Sequence, residues 1–355
     1  MSNLPNTPGH RPSRRRFVTI LGATALMPAA WTPAATAKPD LPPLTSWPPL
    51  TGWQGTALGA DASIKLAGLD PAAATPLLAR CTAEIRRLEA LFSLYDPDSA
   101  LSRLNRSGHL DPIPPDFAHL MDLCAQYHHD TAGAFDPTVQ PLWQLYAAHF
   151  ATAPDNTPDA TGPSEQALAH TRARIGFHRL TRDGGSLRLG SGQALTLNGI
   201  AQGFITDRIA SLLKQNGVHH TLVDLGEISA LGHRAPGHPW RVGVRDPNAP
   251  WTLADTLNLT DTAMATSGGY GTPFEPTGRL HHLLDPRTAR PANLYRSVTV
   301  IAPTATEADA LSTGFSMLPP DDIERALRRR PGRRVILFMN QGEKGEIGAR
   351  RTLQG

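Results

Sequence analysis

Leu195-Thr196-Leu197-Asn198-Gly199-Ile200-Ala201-Gln202-Gly203-Phe204-Ile205-Thr206-Asp207-Arg208 reads in two halves. Leu195 to Leu197 alternate apolar and polar like a strand, Asn198-Gly199 is a turn dipeptide, and from Ala201 the apolar residues recur at helical spacing. The spacing predicts a strand that turns sharply into a helix. The first turn of a helix has amide N–H groups with no partner inside the helix and the positive end of the peptide dipoles, a geometry suited to a phosphate or pyrophosphate. Most such turns hold no ligand, so the stretch decides architecture before it decides function.

Upstream of it the pattern is mainly helical. Gln54 to Leu66 reads as a strand or hairpin. Pro71 to Phe92 carries Leu77, Leu78, Cys81, Ile85, Leu88 and Leu91-Phe92 at helical spacing, with Pro71 suited to a first turn. Further helices are predicted over Pro115–Thr131, Val139–Phe150 and Ser164–Ile175, with residues 151–163 a loop. Beyond residue 176, β-like runs at 186–189, 194–197, 221–225, 240–244, 256–259, 280–284, 297–302 and 334–339 alternate with helices at about 201–216, 305–317 and 321–330. Runs of strands broken by helices, without regular βαβ alternation, predict an α+β fold with a mixed, largely antiparallel sheet. No internal repeat or low-complexity tract divides the chain.

Composition narrows the function classes. The 355 residues are 40% apolar and 18% charged, an ordinary globular balance. No apolar run reaches the roughly 18–20 residues of a membrane span, which argues against an integral membrane protein. Cys81 and Cys124 form no CxxC and no disulfide framework; they read as buried thiols or as one disulfide. The net charge of +3 comes from Arg11, Arg14, Arg15 and Arg16, since the first 37 residues hold no acid; without them 30 basic residues face 31 acidic ones. A near-neutral chain gives no support to nucleic-acid binding.

The N-terminus reads as an address. Arg14-Arg15-Arg16-Phe17 precedes a short apolar stretch to Ala30, and Ala35-Thr36-Ala37 offers a small-residue cleavage site. Residues 1–37 resemble a bacterial twin-arginine signal, which implies passage through the twin-arginine export machinery to the periplasm. Residues 38–50, with five prolines, read as an extended linker. Residues 51–355 then form one catalytic unit.

Several common chemistries are missing. There is no Walker P-loop, no complete G-x-G-x-x-G after a strand, no G-x-S-x-G and no HExxH. The histidine pairs 128–129, 219–220 and 281–282 are adjacent residues, which point apart and chelate poorly. The arginines of 325–334 fit the solvated end of a helix. Four further constellations remain. Tyr95 lies between a long helix and Ser99-Ala100-Leu101-Ser102-Arg103-Leu104-Asn105, with a face for stacking on a planar ring. Gly133-Ala134-Phe135-Asp136-Pro137-Thr138 is a turn that allows close backbone approach. Thr266-Ser267-Gly268-Gly269-Tyr270-Gly271 precedes His281-His282-Leu283-Leu284-Asp285-Pro286, where His282 could act as a general base. Asp309 and Thr313 stand four apart on one predicted helix face, two hard oxygens of the kind Mg²⁺ takes together with a carbonyl and phosphate oxygens.

Taken in order, these segments together with Leu222–Gly232 and Ser297–Thr313 resemble the FAD:protein FMN transferases, the ApbE family, over about residues 54–351. The resemblance implies an α+β roll with helical lobes around an FAD cleft. It implies Mg²⁺-dependent transfer of the FMN part of FAD to a Ser or Thr hydroxyl of an acceptor flavoprotein, through a phosphoester, with AMP leaving. It places FAD against Gln54, Tyr95, Ala134, Phe135, Asp136, Thr196, Gln202 and Leu284. It places the metal on the Gly199 carbonyl, Asp309 and Thr313, and makes His282 the base. The family pattern Asp-Leu-x-Gly-Ile-Ala-Lys-Gly has Thr196 and Gln202 here in place of its Asp and Lys. With Asp224-Leu225-Gly226-Glu227-Ile228, this wording resembles the branch that accompanies nitrous-oxide reductase (NosX-like), implying a membrane-bound acceptor and a role in denitrification. The same residues could serve an FAD pyrophosphatase, with water in place of the acceptor, or a protein that binds FAD without turning it over.

Overall fold

The computed structural model describes residues 47–151, 161–249, 251–340 and 350–355, and the backbone of Thr19 and Ile20. The rest of the predicted signal and cleavage site, most of the linker, and residues 152–160 of the predicted loop lie outside the described residues. In chain order the elements are β1 (Thr19–Ile20), β2 (Leu50–Ala57), β3 (Ala60–Ala67), α1 (Pro71–Phe92), α2 (Ala100–Ser107), β4 (His109–Leu110), α3 (Pro115–Asp130), α4 (Gln140–Ala151) and α5 (Glu165–Arg172). There follow β5 (Thr181–Asp183), β6 (Ser186–Arg188), α6 (Ala201–Gln215), β7 (Thr221–Asp224), β8 (Ile228–Leu231), β9 (Trp240–Arg245), β10 (Leu253–Leu259) and β11 (Thr262–Gly268). The chain ends with β12 (Leu284–Asp285), β13 (Arg290–Pro291), β14 (Tyr295–Ala302), α7 (Ala305–Phe315), α8 (Pro320–Arg328), β15 (Arg334–Met339) and β16 (Arg350–Gln354).

An eight-stranded sheet in the order β16-β15-β14-β11-β8-β7-β3-β2 organises the molecule. All its pairings are antiparallel, as are those of the smaller sheets β1-β9-β10, β4-β6-β5 and β12-β13. The fold is therefore α+β as expected, and the sheet is antiparallel throughout the described residues rather than mixed. Side chains alternate across the sheet with the period of two that a pleated strand imposes. Val223, Ala265, Val298, Val300, Val335 and Leu337 face the helical side, with α1, α6 and α7. Leu222, Met264, Ile301, Ile336 and Phe338 face the other side, under Trp240, Val242, Leu257 and Leu259 of β9 and β10. Covering both faces explains why the central strands read as continuous apolar runs. A third, small core around Leu142, Tyr146 and Leu168 reaches Leu284 and Ala289.

Local signals place the helices. Asp70 caps α1 through the Ala72 amide at 3.0 Å, with Pro71 in the first turn. Ser164 caps α5 and Thr304 caps α7. Helix α7 is buried on nearly all sides, and its small residues let neighbours close in: a Cβ on Gly314 would sit 2.7 Å from Thr131 Cγ2. Trp47 lies under the Arg234 guanidinium, and β2 starts at Leu50, so the folded unit includes the end of the stretch expected to be linker. Two predicted strands are absent. Residues 194–197 pair with no strand, because the Asn105 side chain takes both backbone groups of Leu195, accepting from its amide at 2.7 Å and donating to its carbonyl at 2.8 Å. Of 280–284 only Leu284 lies in a strand, although His281 makes a single bridge to Pro273. Among the described residues no helix is long and apolar enough to cross a membrane.

Candidate active site

A cleft with a cavity volume of about 100 Å³, open to solvent, lies between the helical side of the sheet and the loops around α4. Its walls include Ala134, Phe135, Trp143, Leu284 and Met317, and its polar groups include Thr196, Gly199, His282 and Thr313. Apolar walls interrupted by a few polar groups suit a ligand with an apolar face and a polar centre.

Each wall is fixed from behind. The turn from 196 to 199 is held by the Thr196 amide on the Pro137 carbonyl (2.8 Å), while Thr196 Oγ1 accepts from the Asn198 amide (3.3 Å). Leu197 then accepts from Ala201 at 2.8 Å, which starts α6. The opposite wall, Ala134-Phe135-Asp136, is tied to α3 by the Phe135 amide on Thr131 Oγ1 (2.9 Å). Asp136 lines the cleft, but its carboxylate serves the turn: Oδ1 accepts from the Thr138 amide (2.8 Å) and hydroxyl (2.7 Å), and Oδ2 from the Phe177 amide (3.2 Å).

His282 stands on the third side. Its amide donates to the Thr272 carbonyl at 3.1 Å, and its Nδ1 lies 3.3 Å from the same oxygen. A carbonyl only accepts, so the bond assigns the proton to Nδ1 and leaves the lone pair of the neutral ring on Nε2. Its neighbour His281 is buried, and burial lowers its pKa. The His281 ring lies against Gly269, where a Cβ would come within 2.5 Å of it. Asp285 is not aimed at the cleft: it pairs with Arg287 through two bonds of 2.9 and 2.7 Å.

The floor is α7. Asp309 is fully buried, with Oδ2 accepting from the Gly203 amide at 3.1 Å. One turn on, Thr313 reaches the cleft, and a Cβ on Gly199 would lie 2.8 Å from its Oγ1. Gly199 therefore brings a bare backbone up to the Thr313 hydroxyl. A carbonyl, a carboxylate and a hydroxyl from three such positions are hard oxygens, the donor chemistry of Mg²⁺. Among the described residues there is no cluster of three His, Cys, Asp or Glu, so a cation here would draw its remaining ligands from water or substrate.

Eight of the predicted site residues thus meet in one cleft: Ala134, Phe135, Asp136, Thr196, Gly199, His282, Leu284 and Thr313. Asp309 lies behind them on the same helix as Thr313. Gln202 is different: it is buried, its amide Nε2 stands 3.5 Å from the Leu225 carbonyl, and it packs against Gly226 rather than forming the cleft wall. Gln54 and Tyr95 are exposed, outside the walls. The β2–β3 turn beyond Gln54 is tied to the last turns of α1, which lead to Tyr95, by the Leu58 amide on Glu89. The sequence reading missed Trp143 and Met317 as wall residues and Asp207 as a support. The helical spacing of Trp143 in an apolar helix gave no sign of the cleft. Asp207 accepts from the Ala305 and Thr306 amides, both at 2.8 Å, and so pins the start of α7 to α6.

A buried carboxylate and a hydroxyl at the floor of an apolar cleft, with an imidazole on its wall, bring hard oxygen donors and a proton-exchanging group to one space. Comparison with known proteins then supplies the family. The ApbE family model matches residues 58–337. The FAD:protein FMN transferase of Klebsiella pneumoniae is 31% identical over 341 residues, covering 91% of this chain and 92% of that protein. The flavin transferase ApbE from Vibrio cholerae superposes with a TM-score of 0.71 at 26% identity, covering 86% of this chain and 98% of that one. The apo flavinyl transferase ApbE of Pseudomonas stutzeri gives 0.70 at 28% identity, over 86% and 95%. The chain belongs to the ApbE family, and with it to the transferases.

Proposed function

We propose that this enzyme moves the FMN part of FAD onto a Ser or Thr hydroxyl of an acceptor flavoprotein. The hydroxyl oxygen forms a bond to the FMN phosphorus, the bond from that phosphorus to the bridging pyrophosphate oxygen breaks, and AMP leaves with that oxygen. The observation that supports this reading is the meeting of Gly199, Thr313 and His282 in one cleft in front of the buried Asp309.

In this reading the isoalloxazine lies against Ala134, Phe135, Trp143 and Leu284. The Gly199 carbonyl, Asp309 and Thr313 would hold Mg²⁺, which when bound neutralises charge on the pyrophosphate oxygens. Nε2 of His282 takes the proton of the acceptor hydroxyl, a contribution of about 10²–10⁴-fold. Thr196 builds the turn that presents Gly199. Gln54 and Tyr95 are assigned to the outer edge of the FAD site. We assign Gln202 to the support of the Leu225–Gly226 turn.

The Arg14-Arg15-Arg16-Phe17 segment supports export by the twin-arginine route to the periplasm. The wording of residues 196–203 and 224–228 supports the branch that serves nitrous-oxide reduction, with a membrane-bound acceptor. The test is an intact-mass assay with FAD, Mg²⁺ and an acceptor domain carrying a flavinylation threonine. The expected result is a gain equal to FMN less water on the acceptor, lost with chelator and with Asp309→Ala. Free FMN and AMP with an unlabelled acceptor would favour a pyrophosphatase. Bound, unchanged FAD would overturn both.

A further inference from the structure

Three hydroxyls and one carbonyl form a chain behind the cleft floor. Ser312 Oγ donates to the Asp309 carbonyl at 3.0 Å. Ser267 Oγ, at the end of β11, lies 2.8 Å from Ser312 Oγ and 3.4 Å from Thr313 Oγ1. Ser267 and Ser312 are buried, while Thr313 reaches the cleft.

Distances alone leave the donors in the last two contacts open, and one arrangement also gives the Asp309 carbonyl the Ser312 proton. A hydroxyl has one proton and two lone pairs, and a carbonyl has no proton to give. In that arrangement the Ser312 proton lies on Asp309, and Ser312 Oγ accepts from Ser267. The Ser267 proton is then committed to Ser312, so Ser267 Oγ can only accept from Thr313. The Thr313 proton is drawn back into the protein, and the oxygen that faces the cleft offers lone pairs.

We propose that Ser267 and Ser312 are positioning residues that hold the Thr313 hydroxyl as an acceptor towards the cleft, and so set its affinity for a divalent cation. This rests on the reading of Gly199, Asp309 and Thr313 as the cation site. Neither serine needs to touch the ion. Groups that orient a ligand from behind commonly change metal affinity when removed. Without Ser312, the Ser267 proton can turn to Thr313, whose own proton then swings into the cleft against the cation.

The experiment measures Mn²⁺ binding by electron paramagnetic resonance in the presence of FAD, with thermal melting alongside. Ser312→Ala and Ser267→Ala are each expected to weaken Mn²⁺ binding by about tenfold. Ser316→Ala is the control. Ser316 is buried on the same stretch and donates to the Ser312 carbonyl at 2.8 Å, but stands outside the hydroxyl chain. It is expected to lower the melting temperature comparably and leave Mn²⁺ affinity unchanged. Equal Mn²⁺ affinity in wild type, Ser267→Ala and Ser312→Ala would overturn the proposal and leave the cation site standing. The same loss in Ser316→Ala would reduce the effect to packing and also overturn it. Absence of Mn²⁺ binding in the wild type would remove the cation site itself, and the proposal with it.

Discussion

Gly203→Ala should destabilise the protein, against the ordinary rule for a helix interior. On helix propensity alone, alanine in place of glycine stabilises by about 0.5–1 kcal/mol. Here the new Cβ would lie 2.3 Å from the Ala305 carbonyl oxygen, 2.6 Å from its carbon and 2.8 Å from Thr306 Cα. All three are backbone atoms at the start of α7 and cannot turn aside. A tolerable carbon–oxygen contact is about 3.3 Å, so α6 and α7 must part by about 1 Å. The bonds that cross this gap are short: Asp207 to the Ala305 and Thr306 amides at 2.8 Å each, and the Gly203 amide to Asp309 Oδ2 at 3.1 Å. A shift of that size carries them past hydrogen-bonding range. Bonds to a charged group are worth about 1.5–3 kcal/mol each. With partial relaxation the expected net loss is about 3 kcal/mol, within the usual range for overpacking. Urea denaturation followed by circular dichroism gives this loss directly, and Mn²⁺ binding should weaken in the same variant because Asp309 loses its fixed donor. A variant as stable as wild type, or more so, would refute the claim that this contact sets the position of α7.

Three other outcomes are expected. Glu307→Ala should cost about 3 kcal/mol in the same denaturation assay, because the nearly buried carboxylate holds Arg330 (2.6 Å) and Arg333 (2.9 Å); its removal takes the carboxylate partner from Arg333 and leaves Arg330 to Asp130 alone. His282→Gln should lower kcat for transfer by about 10²–10⁴-fold with little change in melting temperature, since His282 lies at the cleft rim and outside the three cores. Asp224 is half-buried, and desolvation raises its pKa from 3.8 to about 6. Between those values the unfolded chain has released the proton that the folded chain keeps, so this group's contribution to stability falls as pH rises. Asp224→Asn should therefore gain about 3 kcal/mol relative to wild type between pH 4 and pH 7, read as the difference between the two stability curves; a constant difference would refute it.

How much of this was legible in the sequence depends on how local each cause is. Helix α1 was read to its end residues because Asp70, Pro71 and the apolar spacing all act within the helix itself. Strand β11 was not among the predicted strands, yet it lies at the centre of the main sheet between β8 and β14. At its end, rings take the space of a Cβ: Tyr270, two residues on, against Gly268, and His281 against Gly269 just past the strand. The pairing with β8 and β14 and the His281 contact are not local. The segment 194–197 erred the other way. Its alternation is that of a strand, but its hydrogen bonds go to Asn105, ninety residues earlier. The role of Asp207 was hidden for the same reason, since the amides it caps lie 98 and 99 residues downstream. The candidate site was more legible than the sheet, because its residues were recognised by motif order rather than by the contacts that hold them.

The two departures from the family pattern are best understood together. Position 202 is buried beside the Leu225 carbonyl and the Gly226 backbone, where a Cβ on Gly226 would come within 2.4 Å of the Gln202 amide. A lysine in that position brings a charge into a space with little water, and a buried charge without its counterpart is costly. Losing the acid at 196 while keeping the lysine would leave such a charge; losing both leaves two neutral groups that can be satisfied locally. Thr196 is satisfied by the Asn198 amide, in the turn that brings Gly199 to the cleft. Gln202 faces the turn after β7. The position of the Gly199 backbone therefore depends on uncharged hydrogen bonds, Thr196 to the Pro137 carbonyl and Asn198 to the Thr196 hydroxyl, and the charge pair could be given up without moving it.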